Sequence, residues 1–282
     1  MRTAWINPGS RQYNCELIYN LPMRLPYQHV WDTRSRVWAK SHRYDDELRQ
    51  VIEHQVVRGR IGFDVGANRG EILAHMVAVA PQARHVAVEP VPELAAALQA
   101  RYPRVLVING ALSNMPGRAS FRVVRNSLEE SSLRPTTTHV LHPNVELIQV
   151  SVSRLDDLES TDDVGLIKLD TEGSEYWILQ GATRKIERCR PVIVFEAGGN
   201  TTPNFDVTPE MFWEFFCAQE YAITTMRRWL EGVPSFSAKE FLAASIRTPG
   251  LPPWWQRRKE WMFLAHPNQS VPRMREGLSP GR

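Results

Sequence analysis

The chain is 282 residues long, with 43% hydrophobic and 23% charged residues, the balance of a globular protein with room for one large α/β domain plus extensions or two small domains. Its net charge of +3 comes from scattered side chains, so nothing marks a nucleic-acid arm, and no run of 18 apolar residues marks a membrane span. Three cysteines (Cys15, Cys189, Cys217) without C-x-x-C spacing, and an N-terminus without an apolar signal segment, fit a reducing cytoplasmic compartment.

Residues 1–44 carry Pro22 and Pro26 among dispersed aromatics (Trp5, Tyr13, Tyr19, Tyr27, Trp31, Trp38, Tyr44). They read as an extension packing its rings on the main domain, or as a cap over the substrate end of a site. The main domain is expected over 45–266. Residues 45–58 place Leu48, Val51, Ile52 and Val56 near helical spacing behind acids in the first turn, so they form an amphipathic helix.

A strand–helix rhythm follows. Strands are expected at 61–65, 85–89, 105–109, 164–170 and 191–196. Helices are expected at about 70–79, 92–102, 173–187 and 208–219, with strand and loop pieces between 110 and 160. Short apolar strands alternating with helices imply a parallel sheet covered on both faces. Strands at 221–226 and 261–266 flank a long excursion, 227–259, and together make an antiparallel addition to that sheet. The expected fold is therefore α/β and Rossmann-like. It has a seven-stranded, mostly parallel sheet with helices on both faces, the architecture of class I methyltransferases. A tail at 267–282, rich in Pro, Gly and Arg, reads as disordered.

In open α/β sheets ligands bind beyond the carboxyl ends of the strands. Those ends carry Asp64, then Gly66, Asn68 and Gly70; Glu89; Asn109, then Gly110 and Ala111; Asp170 and Glu172; and Glu196, then Gly198, Gly199 and Asn200. Helix caps would explain one or two such residues, whereas five strand ends together point to a polar crevice. The first turn, DVGANRG, is not the G-x-G-x-x-G of a dinucleotide site. Asp64 would repel a pyrophosphate, which binds to bare amides at a helix N-terminus. A carboxylate suits a cofactor with a cationic end and no phosphate, and S-adenosylmethionine (SAM) has that character. Glu89, ending the second strand, is placed to accept both ribose hydroxyls, each bond contributing roughly 1.5–3 kcal/mol. Gly66 and Gly70 allow close backbone approach.

Residues 167–182, IKLDTEGSEYWILQGA, form the second concentrated feature. Lys168 lies inside an apolar strand, where a charge is costly unless paired, so it is expected to have a functional purpose or a carboxylate partner. Glu172 and Glu175 stand near a helix start, where dipole compensation is one explanation for them.

The segments DVGANRG, VAVEP, INGALS, NSLEESSL, IKLDTEGSEYWILQGA and VIVFEAG resemble, in this order, the FkbM family of SAM-dependent methyltransferases over about residues 45–200. The family's pattern K-x-D-x-E-G-x-E, followed by L-x-G-A, stands here as Lys168, Asp170, Glu172, Gly173, Glu175, Leu179, Gly181 and Ala182. The resemblance implies a Rossmann-like enzyme that methylates a hydroxyl of a small molecule or saccharide. It does not extend to the first 44 residues or to 227–282, which would shape the acceptor pocket.

Asp64, Gly66, Asn68, Gly70, Glu89, Asn109 and Ala111 are assigned to the cofactor, with Asn109 or its neighbours near the adenine. Asp170 is the first candidate for the base that removes the hydroxyl proton, followed by Glu172 and Glu196. A less favoured alternative has Asp170 and Glu196 holding Mg²⁺ with Asn200. His139, His142 and His266 are further base candidates. Arg227, Arg228, Trp229, Trp254, Trp255, Arg257 and Arg258 could grip a sugar or an anion, or form a structural flap. The competing readings are methylation of nitrogen or of a macromolecule, a catalytically silent SAM-binding protein and, last, an NAD-dependent oxidoreductase.

Overall fold

The structure, a computed structural model, describes residues 43–56, 60–135, 140, 142–158, 163–197, 206–245 and 262–268. The 1–42 extension, Gly198 to Asn200, His139, the distal part of the excursion with Trp254, Trp255, Arg257 and Arg258, and the tail beyond 268 lie outside the described residues.

Seven strands form one sheet in the order β3-β2-β1-β7-β8-β10-β9. They are β1 (Ile61–Val65), β2 (Val86–Val88), β3 (Leu106–Ile108), β7 (Val164–Leu169), β8 (Val192–Glu196), β9 (Tyr221–Thr224) and β10 (Met262–Pro267). β10 alone runs antiparallel, between β8 and β9, as the sequence implies. A second sheet, β4-β6-β5, is built from β4 (Ala111–Leu112), β5 (Gly117–Val124) and β6 (Val145–Ser153). Expected strand ends lie within two residues of those observed.

Every residue of β1, β7 and β8 is buried, as strands covered on both faces must be. On one face Phe195 packs with Phe212, Phe216 and Phe263, contributed by α6 (Pro209–Ala218) and β10. On the other, α1 (residues 43–55) buries Leu48, Val51 and Ile52 with Met76, Leu166, Val194 and Leu264. Met76 belongs to α2 (Glu71–Val79); α3 (Pro92–Arg101) starts on a proline, whose fixed φ suits a first helical position.

The single helix expected over 173–187 is two helices, α4 (Glu175–Gln180) and α5 (Thr183–Cys189). The break at Gly181 has a packing cause: a side chain there would strike the Ser113 carbonyl. Asp156 then restarts the chain as a helix, accepting the backbone N–H of Lys185 at 2.8 Å and of Arg184 at 3.0 Å.

The described part of the 227–259 excursion is helical as well, as α7 (Met226–Leu230) and α8 (Ala238–Ser245). Thr225 caps α7 by accepting the Arg228 N–H. Trp229 is buried, edge-on to His54. Arg228 donates to the Pro234 carbonyl and lies over the Phe236 ring, and Arg227 pairs with Glu231. The described members of the expected aromatic–cationic grip thus have structural partners.

Candidate active site

In a parallel sheet all strands deliver their carboxyl ends to one edge, which collects Asp64, Glu89, Asn109, Asp170 and Glu196. The antiparallel β10 instead pairs Met262 with Glu196 at that edge and carries His266 to the far one, opposite Ala222. His266 is buried there, with Nε2 3.0 Å from Ser235 Oγ, and burial holds its pKa low. It is therefore not a base for this site. The carbonyl of His142 accepts from Asn126 in the loop that joins β5 to β6.

The turn after β1 uses its own amides. Gly66 N–H and Ala67 N–H both donate to the Val88 carbonyl, at 3.0 and 3.1 Å, and Gly70 N–H donates to Ala67 O at 2.8 Å. Asn68, in the left-handed region at φ 47°, donates its N–H to Glu89 Oε2 at 2.7 Å. Amides so engaged cannot cradle a pyrophosphate, which agrees with the absence of a dinucleotide fingerprint.

Glu89 is 4% exposed, and its other oxygen accepts Val91 N–H at 2.9 Å. Burial raises its pKa, opposed by these two bonds. Each oxygen keeps a second lone pair for a ligand hydroxyl. The sequence did not reveal that Glu89 fastens the turn after β1 to the end of β2. Asn109 donates through Nδ2 to the carbonyls of Glu89 and Pro90, so it braces the same turn. Ala111 is buried among Val91, Val123 and Val150 in the core beneath the small sheet.

Asp64 lies fully buried under the turn, and no well-aligned hydrogen bond reaches either of its oxygens, although the Leu73 backbone N–H lies close. Lys168, its neighbour in the β1–β7 register, supplies the countercharge, with Nζ 3.1 Å from Asp64 Oδ1 but off the hydrogen-bond line. Burial raises the Asp64 pKa and Lys168 opposes the rise. The same Nζ lies 3.5 Å from Asp170 and donates to Gly66 O at 3.0 Å, so a carboxylate partner, one of the two expectations for Lys168, is present twice. The Asn68 side-chain oxygen is also buried and unpartnered. Unsatisfied buried acceptors beside a turn with no phosphate cradle fit a donor with a cationic end.

The other half of the edge is acidic. Asp170 (exposed), Glu172 (half-buried) and Glu196 (buried) bring carboxylate oxygens within 4.8 Å of one another. Burial, then Glu196 and Asp170, push the Glu172 pKa well up. Glu175 is fully buried. Its Oε1 accepts Thr171 N–H at 2.6 Å and Thr171 Oγ1–H at 2.9 Å, and burial carries its pKa to about 7. It reaches back into the turn rather than compensating a helix dipole from outside. The T-E-G-S-E spacing, which separates Thr171 from Glu175 by one helical turn, could have suggested this.

No helix among the described residues is long and apolar enough to cross a membrane. No curated protein matches the sequence at the significance required. Among solved structures, an FkbM methyltransferase from Methylobacillus flagellatus is 18% identical with a TM-score of 0.44; the match covers 74% of this chain but only 44% of that protein's length. A TehB-like SAM-dependent methyltransferase from Corynebacterium glutamicum is 12% identical with a TM-score of 0.41, covering 85% of this chain and 96% of the other. A Burkholderia thailandensis 1,6-didemethyltoxoflavin N1-methyltransferase is 14% identical with a TM-score of 0.35, covering 88% and 91%. The model of the methyltransferase FkbM domain matches residues 64–231, more than half of the sequence, and the chain therefore belongs to the FkbM methyltransferase family.

Proposed function

We propose that this protein transfers the methyl group of SAM to a hydroxyl of a small molecule or saccharide. The observation that carries the reading is the division of one sheet edge. One half is a closed turn over the buried Asp64 and Glu89, and the other is a group of carboxylates led by the exposed Asp170. SAM supplies a methyl on a sulfonium that leaves as a neutral thioether, so no acid is needed. The turn at Gly66–Gly70 receives the donor, with Glu89 on the ribose and Asp64 and Asn68 toward the cationic end. Asp170 is the solvent-facing member of the acidic group, so it is the one that meets the acceptor and takes its hydroxyl proton, with Glu172 and Glu196 next in order. Holding the reactants in line contributes roughly 7–11 kcal/mol in favourable cases, and a base adds roughly 10²–10⁴-fold.

Asp170→Asn tests the reading. Transfer of labelled methyl from SAM to a pool of hydroxylated small molecules is expected to fall by roughly 10²–10⁴-fold, with the affinity for S-adenosylhomocysteine unchanged. Unchanged turnover removes Asp170 from the mechanism. If the wild type gives calorimetric heat with NAD and none with S-adenosylhomocysteine, the methyltransferase reading fails.

The mutual approach of the Asp170, Glu172 and Glu196 oxygens supports a second reading, in which they hold a divalent cation that orients the acceptor. Loss of turnover in EDTA, restored by Mg²⁺, would favour it over simple base catalysis.

A further inference from the structure

Lys168 is a charged side chain whose contacts reach both halves of the edge. Its side chain is 6% exposed and that of Asp64 1%. Its ammonium group donates to Gly66 O at 3.0 Å and forms ion pairs with Asp64 Oδ1 at 3.1 Å and Asp170 Oδ2 at 3.5 Å. Two of these partners come from the turn on the cofactor side and one from the strand end on the acceptor side. The backbones meet at the same place. Asp170 N–H donates to Val65 O at 3.2 Å, and Gly66, at φ 77°, leaves no room for a side chain against the Asp170 carbonyl.

We propose that Lys168 is a positioning residue that ties the cofactor turn to the strand end bearing Asp170 and keeps Asp64 ionised beneath the donor. The inference rests on reading the β1 turn as the SAM site, and it assigns the linkage to a residue that need not touch either reactant. The charge argument is direct. A buried carboxylate without a countercharge takes up a proton rather than remain ionised. The groups facing Asp64 are Lys168 and Asp170 from the β7 side and Glu89 from β2. Lys168 is the cation among them, so removing it leaves three acids to repel one another. Asp64 would then be neutral, and the attraction for a cationic ligand would go with it.

The test uses the full chain and S-adenosylhomocysteine, whose amino group is cationic, and so needs no knowledge of the acceptor. In the wild type its affinity is expected to be nearly constant from pH 6 to 8.5. In Lys168→Met it is expected to be roughly tenfold weaker at pH 6 and to recover as pH rises and Asp64 ionises. Lys168→Arg, which keeps the cation, is expected to restore the flat profile. If Lys168→Met does not fold, the Asp64→Asn/Lys168→Met pair, which removes charge and countercharge together, is expected to fold and to bind weakly at every pH. A Lys168→Met protein that is less stable yet binds with wild-type affinity and a flat profile overturns the proposal and leaves Lys168 a structural residue. So does a double variant that binds as the wild type does. Absence of binding by the wild type refutes the SAM reading itself, which separates the two failures.

Discussion

The two halves of the strand-end edge are built on opposite electrostatic principles. On the half proposed for the cofactor the polar groups are mostly committed: Glu89 accepts two amides, Gly66 and Ala67 share one carbonyl, and Asp64 faces Lys168. On the half proposed for the acceptor Asp170, Glu172 and Glu196 crowd together, and burial with mutual repulsion lifts Glu172 well above the usual carboxylate range. A committed network gives a fixed frame, because each bond restrains the next. A crowded set of acids is held away from its own optimum and is ready to accept a proton or a cation. In the proposed reading, one edge would therefore hold a donor rigidly and still meet an acceptor with reactive groups.

The contrast is most easily broken at its hinge. Gly66→Ala places a methyl group against the Asp170 carbonyl in a left-handed conformation, so strain and overlap combine to cost roughly 3–5 kcal/mol. Gly232→Ala is the control: its φ of 67° is equally unfavourable, but nothing stands within contact distance, and it should cost about 1 kcal/mol. Urea unfolding of the two variants separates backbone strain from the lock between the halves. Equal losses would show that the lock contributes nothing.

Glu89→Ala comes next. It strands the amides of Asn68 and Val91, and roughly 2–4 kcal/mol of stability is expected to disappear with the affinity for S-adenosylhomocysteine. Glu89→Gln keeps one acceptor oxygen and is expected to recover part of the stability. A Glu89→Ala protein that binds the ligand normally would remove the carboxylate from the cofactor site.

The strands, the single antiparallel addition and the strand-end residues were legible because they depend on the period and polarity of short segments. A fully buried strand such as β8 announces itself as an apolar run, and a lone Lys168 within another announces a purpose or a partner. What stayed hidden depends on contacts between distant segments. The break at Gly181 is set by Ser113 and Asp156, neither of which is near it in the chain. The double duty of Glu89 follows from where Asn68 turns. His266 looked like a strand-end base until the antiparallel direction of β10 placed it on the wrong edge. For Trp229 and Arg228 a ligand grip and a structural flap both stayed open, because periodicity does not say which way a short helix faces.

The smallest effects expected lie in the pH dependence of stability, where two buried groups oppose each other. The Glu175 pKa is carried from near 4.5 to about 7 in the folded protein, so folding favours its protonated form; that stability is complete below pH 4.5 and is lost as pH rises through 7. Glu175→Gln, which keeps an acceptor for Thr171, is expected to abolish this loss and to be more stable than wild type at pH 8 by roughly 1–3 kcal/mol. His85 acts in the other direction. Its Nδ1 accepts Gly62 N–H and its Nε2 faces Ala80 O, both at 3.0 Å, so the folded state needs the neutral ring, and burial lowers its pKa. Its contribution is present above about pH 6.5 and fades as pH falls through the lower folded value. Between pH 5 and 7 the Glu175 contribution falls while the His85 contribution rises, so each variant is compared with the wild-type curve. Urea midpoints would show a rising slope in Glu175→Gln and a falling one in His85→Gln. If both variants keep the wild-type curve, neither burial carries the charge-state preference assigned to it, and the acidic half of the edge would be solvated well enough to lose its contrast with the other.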